Sequence, residues 1–519
     1  MSENNKEAKK NRNGYGRSNS KGRSAKYTAR GAGKGKSSRT DDYEPSMDKD
    51  KKCGFKTKDA SNDVAWYAQN KELLDAAASY SFSNVLGGGT PYTVSNVTPG
   101  VMVIKYHAAY NNIVQTTAAR NIYSYVRHAN SGASNYDAPD LMMYINAVDQ
   151  AFSFIAWVRR IYGLARIYDQ RNRYYPKAII QSMGVNFGDI MNNLANLWFY
   201  IDQITARASV LWIPDNIPVV ERHFWMNSNV YMDGDSAKSQ TYLFNPTCFY
   251  RYNPTLTEVG GGLEPVTVGT NLTFVQIQAL GNQLLSVLFE DEDIGIMGGD
   301  ILKAYGSEHI YTLNPIDASY TVLPTRSDEV LTQIHNCTPV RMDPTNVEQT
   351  ADGRINTVNM TLQTTQVNSR FYVPHDLTLD FFQAENPTPE QVMVATRLMY
   401  GGSFMSSVGT ETMITPQYCG TEIADEARIY GLTTAGDAKS LGAFSGMLDP
   451  TAYGDLEAFI AAYTTFDWAP FLYFGTASSS EGNCSSRVGD VENFTFINKL
   501  NLDKLHTTAI YSEYGIPTM

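Results

Sequence analysis

The sequence predicts an α+β protein in which a mainly helical body is divided by an inserted strand-rich domain, behind a structureless basic arm. Three observations carry this reading. Residues 1–58 contain no apolar run; apolar residues recur at helical spacing through 59–215 and again through 386–519; and the stretch 216–385 is rich in Thr, Val, Asn, Pro and Tyr, with short runs of alternation. A helix–strand–helix order arises when one domain is inserted into another, leaving the flanks as a single split domain. At 519 residues the chain is long enough for two or three domain-sized units.

The arm comes first. Lys6, Lys9, Lys10, Lys21, Lys26, Lys34 and Lys36 with Arg12, Arg17, Arg23, Arg30 and Arg39 face only Glu3 and Glu7, a balance of +10 over residues 1–40. The whole chain carries −11, so residues 41–519 sum to −21. Gly and Ser separate the cations, and such a segment cannot bury enough surface to offset its ordering entropy. A flexible coil of this length reaches about 40 Å root-mean-square. Twelve cations on it suit the neutralisation of phosphates without base reading, with affinity falling steeply in salt. Tyr15 and Tyr27 are the aromatics among them, so stacking on bases is a minor contribution.

From Asn62 or Asp63, either of which can cap a helix, Trp66, Leu73, Leu74 and Ala77 follow at helical spacing. Gly87-Gly88-Gly89 breaks the pattern, and Val101-Met-Val-Ile104 reads as a short strand. Three long helical patterns follow at about 113–130, 139–170 and 186–208. In the second, Leu141, Ile145, Val148, Phe152 and Ile155 define one stripe and apolar residues fill the other faces, which predicts a helix buried on most sides. Pro139 fits its first turn. Within the strand-rich stretch one helical island spans about 272–306, and alternation marks Asn356-Thr-Val-Asn-Met-Thr-Leu and Arg370-Phe-Tyr-Val. Helical period returns from Thr388 through Met399 and over Asp455 to Tyr463, and irregular structure is expected from there to the end.

The composition is that of a soluble protein, 43% hydrophobic and 18% charged, with 33 Tyr, a residue suited to cores and to protein–protein surfaces alike. The most apolar stretch, Leu141 to Val158, is interrupted by Asn146 and Asp149 and closed by Arg159 and Arg160, short of an uninterrupted membrane span. No secretion signal is expected, since no apolar core follows the first charges. Five cysteines (53, 248, 337, 419, 484) without paired spacing fit reduced thiols. The seven His are dispersed, with no metal-ligand spacing. Asp291, Glu292, Asp293 and Asp300 lack the offsets of a calcium loop and read as caps and turns, as does Met232-Asp-Gly-Asp. A Gly-x-Ser-x-Gly elbow, a phosphate-binding Gly-x-x-x-x-Gly-Lys and a metal-binding Gly-Asp-Asp turn are all missing, so neither an enzyme nor a cofactor is expected.

Several strings resemble the picobirnavirus capsid proteins. They are Asn62-Asp-Val-Ala-Trp-Tyr-Ala-Gln-Asn; Tyr123-Ser-Tyr-Val-Arg-His-Ala-Asn-Ser-Gly continuing through Asn135-Tyr-Asp-Ala-Pro-Asp-Leu-Met-Met-Tyr; Asn172-Arg-Tyr-Tyr-Pro; Arg222-His-Phe-Trp-Met-Asn-Ser-Asn; and Asp293-Ile-Gly-Ile-Met-Gly-Gly-Asp-Ile-Leu-Lys-Ala-Tyr-Gly. Together they cover roughly residues 62–306. The resemblance implies a capsid protein of a double-stranded RNA virus, which forms two-fold dimers and an icosahedral shell. It implies a mainly helical shell domain (59–215 and 386–519) and a projecting domain richer in strands (216–385). Implied partners are the chain itself, viral RNA held by the arm, the viral polymerase inside the shell, and a membrane during entry. The implied location is the virion, assembled in the host cytoplasm. Some members remove the basic segment by self-cleavage; here no nucleophile stands out near the junction with Asp63. The competing reading from the residues alone is a nucleoprotein that coats RNA without closing a shell.

Overall fold

The computed structural model describes residues 71–78, 100–110, 112–132, 134–167, 174–234, 239–340, 342–357, 377–401, 417–433, 436–448, 456–476, 483–489 and 491–516. In chain order the first half holds α1 (Lys71–Ala78), β1 (Val101–Ala108), α2 (Asn112–Ala129), α3 (Ala138–Ala165), α4 (Tyr175–Ser182), α5 (Phe187–Asn192), α6 (Leu194–Ala208), α7 (Pro218–Ser228), β2 (Tyr231–Met232), β3 (Thr241–Pro246), β4 (Cys248–Asn253) and β5 (Gly262–Thr267). The middle holds α8 (Phe274–Glu290), α9 (Glu292–Tyr305), α10 (Asp328–His335), β6 (Val347–Gln349), β7 (Ile355–Thr357), β8 (Leu377–Phe381) and α11 (Pro389–Ala395). The last part holds β9 (Tyr400–Gly401), β10 (Gln417–Tyr418), β11 (Glu422–Leu432), β12 (Ala438–Phe444), β13 (Met447–Leu448), α12 (Leu456–Tyr463), β14 (Leu472–Thr476), β15 (Asn483–Val488), β16 (Asn493–Ile497) and α13 (Lys499–Glu513). Helix α1 falls in one compact unit and every later element in another, Phe82–Met519.

Helix α3 is the axis of the larger unit. Asp137 caps it by accepting from the Asp140 amide while Asp140 reaches back to the Asp137 amide, and Pro139 occupies the first turn. From Ala138 to Ala165 every residue but Asp140 is buried. The helix is long and apolar enough to cross a membrane, yet protein encloses it on all sides. That is the outcome expected for a helix with apolar residues all round.

The main sheet has the order β12-β11-β1-β3-β2. Its central strand β1 runs antiparallel to β11 and parallel to β3. Val101 and Val103 point into the core that contains α3, while Met102, Ile104 and Tyr106 point into a second core with Leu331, Ile334, Phe459 and Tyr463. Both faces are covered, so the strand reads as an unbroken apolar run and not as an alternation. A second sheet, β4-β5-β6-β7, joins the α3 core through Phe249, Tyr250, Leu263 and Ile355.

Four local expectations change on folding. The pattern over 186–208 is two helices, because the Asn186 side chain caps α5 and Asn193 (φ −111°) breaks the run before α6. The island over 272–306 is likewise two helices, divided at Asp291, which ends α8 and caps α9 by accepting from the Asp293 and Ile294 amides. The carboxyl-terminal part, expected to be irregular, holds β14, β15, β16 and the fifteen-residue α13. Those strands are short, and α13 mixes polar residues around its circumference, so neither period is legible. Fourth, strands from the first, middle and last thirds share one sheet: β1, β3 and β11 are neighbours. Most of the alternating stretches at 356–362 and 370–373 lies outside the described residues.

Gly281 marks the tightest junction in the α3 core, where α8 meets α6. A Cβ there would overlap the Tyr200 hydroxyl and crowd the Phe154 ring. Gly281→Ala is expected to cost about 1–3 kcal/mol through overpacking, read as a lower melting temperature of the purified chain; an unchanged melt would show that α8 can slide to accept the methyl.

Candidate functional site

The twelve cations of the arm, Lys6 through Arg39, and Trp66 lie outside the described residues. The acidic group after α8 is resolved as capping: Asp291 closes the start of α9, and Asp300 accepts from the Tyr136 hydroxyl at 2.7 Å with Arg127 at 3.9 Å. Among the described residues no group of His, Cys, Asp and Glu is placed to hold a metal ion. Cys248, Cys337 and Cys419 are unpaired and buried, and burial pushes each thiol up, so none is poised as a nucleophile.

The structure instead assembles a buried ionic cluster from five separate stretches. Arg222 of α7 makes a two-pronged pair with Glu422 at the start of β11, Nε to Oε1 at 2.7 Å and Nη2 to Oε2 at 3.0 Å. Its neighbour His223 bonds Asp149 of α3 through Nδ1 at 2.5 Å and lies 3.1 Å from Glu422 through Nε2. Glu513, at the end of α13, stands 3.0 Å from Arg397 and 3.8 Å from Arg222. Beside it the Tyr514 hydroxyl donates to Asn146 of α3 at 3.0 Å and accepts from Gln115 of α2 at 2.5 Å.

Burial alone would strip the proton from His223, but Asp149 and Glu422 outweigh it and hold its pKa up to about 10. Burial disfavours the Glu422 carboxylate too, yet Arg222 and His223 drive its pKa well below the usual range. For Glu513 burial and the Glu422 charge prevail, and its pKa is raised. Asp149, His223, Glu422 and Glu513 are buried, and the Arg222 and Arg397 side chains are only 11% and 12% exposed. The cluster fastens α2, α3, α7, β11 and α13 together.

Two more buried histidines, His107 and His335, also face carboxylates. His107 bonds Asp425 at 2.9 Å, and Thr247 donates to the same carboxylate at 2.8 Å. His335 lies 3.3 Å from Asp380 and bonds the Ala469 carbonyl at 2.9 Å. Arg160 donates to the Met226 and Asn229 carbonyls at the end of α7, where a cation suits the helix terminus. Three of the dispersed histidines, His107, His223 and His335, are therefore core clamps, each with a carboxylate partner far along the chain.

Comparison with known proteins decides the class. A model of the picobirnavirus capsid protein family matches residues 66–385, well over half of the chain. The chain belongs to that family. A curated relative, the capsid protein precursor of human picobirnavirus (strain Human/Thailand/Hy005102), is 29% identical over 95% of this chain and 98% of its own length. A crystal structure of the picobirnavirus capsid superposes with a TM-score of 0.72 at 22% identity, covering 87% of this chain and 98% of that one. The fold is thus the picobirnavirus capsid fold, as the resembling strings imply, and the chain is a virion component. The ionic cluster is absent from the sequence reading, although two signals for it were present: Asp149 interrupting the most apolar stretch, and Arg222-His223 inside one of the resembling strings.

Removing one partner of such a buried group leaves an uncompensated charge. His223→Gln is expected to destabilise the fold by about 3–5 kcal/mol, measured by denaturant unfolding at pH 7. Stability should also depend on pH in a stated sense. The His223 pKa rises from 6.5 to about 10 on folding, so its contribution is complete below 6.5 and is lost as pH climbs through 10. Glu422 acts the other way, complete above its ordinary 4.5 and lost in acid. The melting temperature of the wild type should fall between pH 7 and 10, and His223→Gln should flatten that limb; an equally steep limb in the variant would remove His223 from its cause.

Proposed function

We propose that this capsid protein pairs as two-fold dimers and closes into an icosahedral shell around double-stranded RNA, which the basic arm holds without sequence preference. The observation that carries the reading is the division of charge in a chain of this family. The arm carries +10 and the remainder −21. Acidic bodies repel RNA from a shell's outer surface, while arms gathered inside supply an attraction repeated on every subunit.

The role is structural and not catalytic, with any self-cleavage confined to the junction near Asp63. The division into arm (1–58), shell domain (59–215 and 386–519) and projecting domain (216–385) stands as a proposal. Strands β1, β3 and β11, one from each of the three segments after the arm, share a sheet. Packaging of a viral polymerase, contact with a membrane during entry and assembly in the host cytoplasm belong to the same reading.

Electron microscopy of the purified recombinant chain, with its 260/280 nm absorbance ratio, is the direct test. Uniform closed particles rich in RNA are expected, whereas open filaments on RNA would favour a coating nucleoprotein. Deletion of residues 1–58 should leave assembly intact and lower the ratio to that of protein alone; unchanged RNA content would take the arm out of this role.

A further inference from the structure

The outer faces of α6 and α8 serve no purpose in the interior of the chain. Both helices pack on α3, and side chains of one reach the other. Tyr200 meets Phe274 edge-on with ring centres 6.2 Å apart, Gly281 abuts Tyr200, and the Arg207 guanidinium stands 4.5 Å from the Phe289 ring centre. Helix α5 adjoins them, since Asp189 accepts from the Phe274 amide at 2.6 Å. Phe199 of α6 is 71% exposed and Val275 of α8 is 69% exposed, with Met191 of α5 also exposed. The other exposed positions of the two helices are alanines and amides, together with Asp202, Glu290 and Arg207, whose charge lies over Phe289.

Exposed aromatic and aliphatic side chains on a charge-poor face mark a protein contact. The identity of the partner follows from charge. Outside the arm each copy carries −21, so two copies repel unless they meet where carboxylates are scarce. Across the exposed positions of α6 and α8, Asp202 and Glu290 are the two carboxylates, and Arg207 offsets one of them. Two helices of this length, each about 10 Å wide, offer on the order of 500 Å². That is less than the roughly 800 Å² per partner of a self-sufficient interface, and it suits one of several contacts that a shell subunit makes.

We infer that the α6–α8 face is a contact between copies of this chain, with Phe199 packed against the neighbouring subunit. The inference deepens the proposed shell function and rests on it. The test uses the full-length chain with Phe199→Glu, Val275→Glu and Phe199→Leu, following particle yield by sedimentation and microscopy and folding by thermal melting. Both Glu variants should melt like the wild type while particle yield drops at least tenfold, and Phe199→Leu should assemble normally. Should Phe199→Glu fail to fold, Val275→Glu carries the same test. Glu variants that assemble as well as the wild type would overturn the inference. So would normal assembly with lost binding to anionic phospholipid vesicles, which would assign the face to a lipid surface. A wild type that forms no particles would instead overturn the shell reading itself.

Discussion

A helix of twenty-eight residues with a single residue outside the core leaves the rest of the chain little choice. At 1.5 Å per residue α3 is about 42 Å long, and its apolar surface must be covered along that whole length. Helices α2, α4, α6, α7 and α8 and strand β4 all pack on it, and β1 adds Val101 and Val103 to the same core. Those covering elements need one apolar face each. This is why they read as amphipathic in the sequence while α3 does not.

Covering an axis does not fix how far along it each neighbour sits, and apolar contacts are tolerant of sliding. The buried charges are not. Asp149 on α3 demands His223, Glu422 demands Arg222, and Glu513 demands Arg397, each within about one hydrogen-bond length of a specific atom. Such pairs add little net stability over a well-packed apolar substitute, because desolvation offsets most of the attraction. Their consequence is registry: a slip of any one element strands a charge in the core. The same logic covers His107 with Asp425 and Arg160 with the end of α7.

Charge also organises the chain at larger scale. The cations proposed to meet RNA are gathered in a segment with no apolar run, and the remainder of the chain is left strongly acidic. In the proposed shell, self-association would fall on faces where acidic residues thin out, as on the α6–α8 face.

The sequence by itself determined the charge of the basic arm, the enclosed α3 with its Pro139 start, and the family through strings such as Tyr123 to Tyr144. Each depends on composition or on residues within a few turns of one another, where local physics decides. Tertiary structure alone decided that β1, β3 and β11 lie in one sheet, that α13 forms at the end of the chain, and that Asp149, His223, Arg222, Glu422 and Glu513 meet. The first of these helical partners is separated from the last by more than three hundred residues, and no local period encodes such a meeting. A buried charge reads in a sequence as a break in a pattern. What neutralises it is set only when the fold brings a distant residue of opposite sign within reach, out of water, where an unmet charge is too costly to leave.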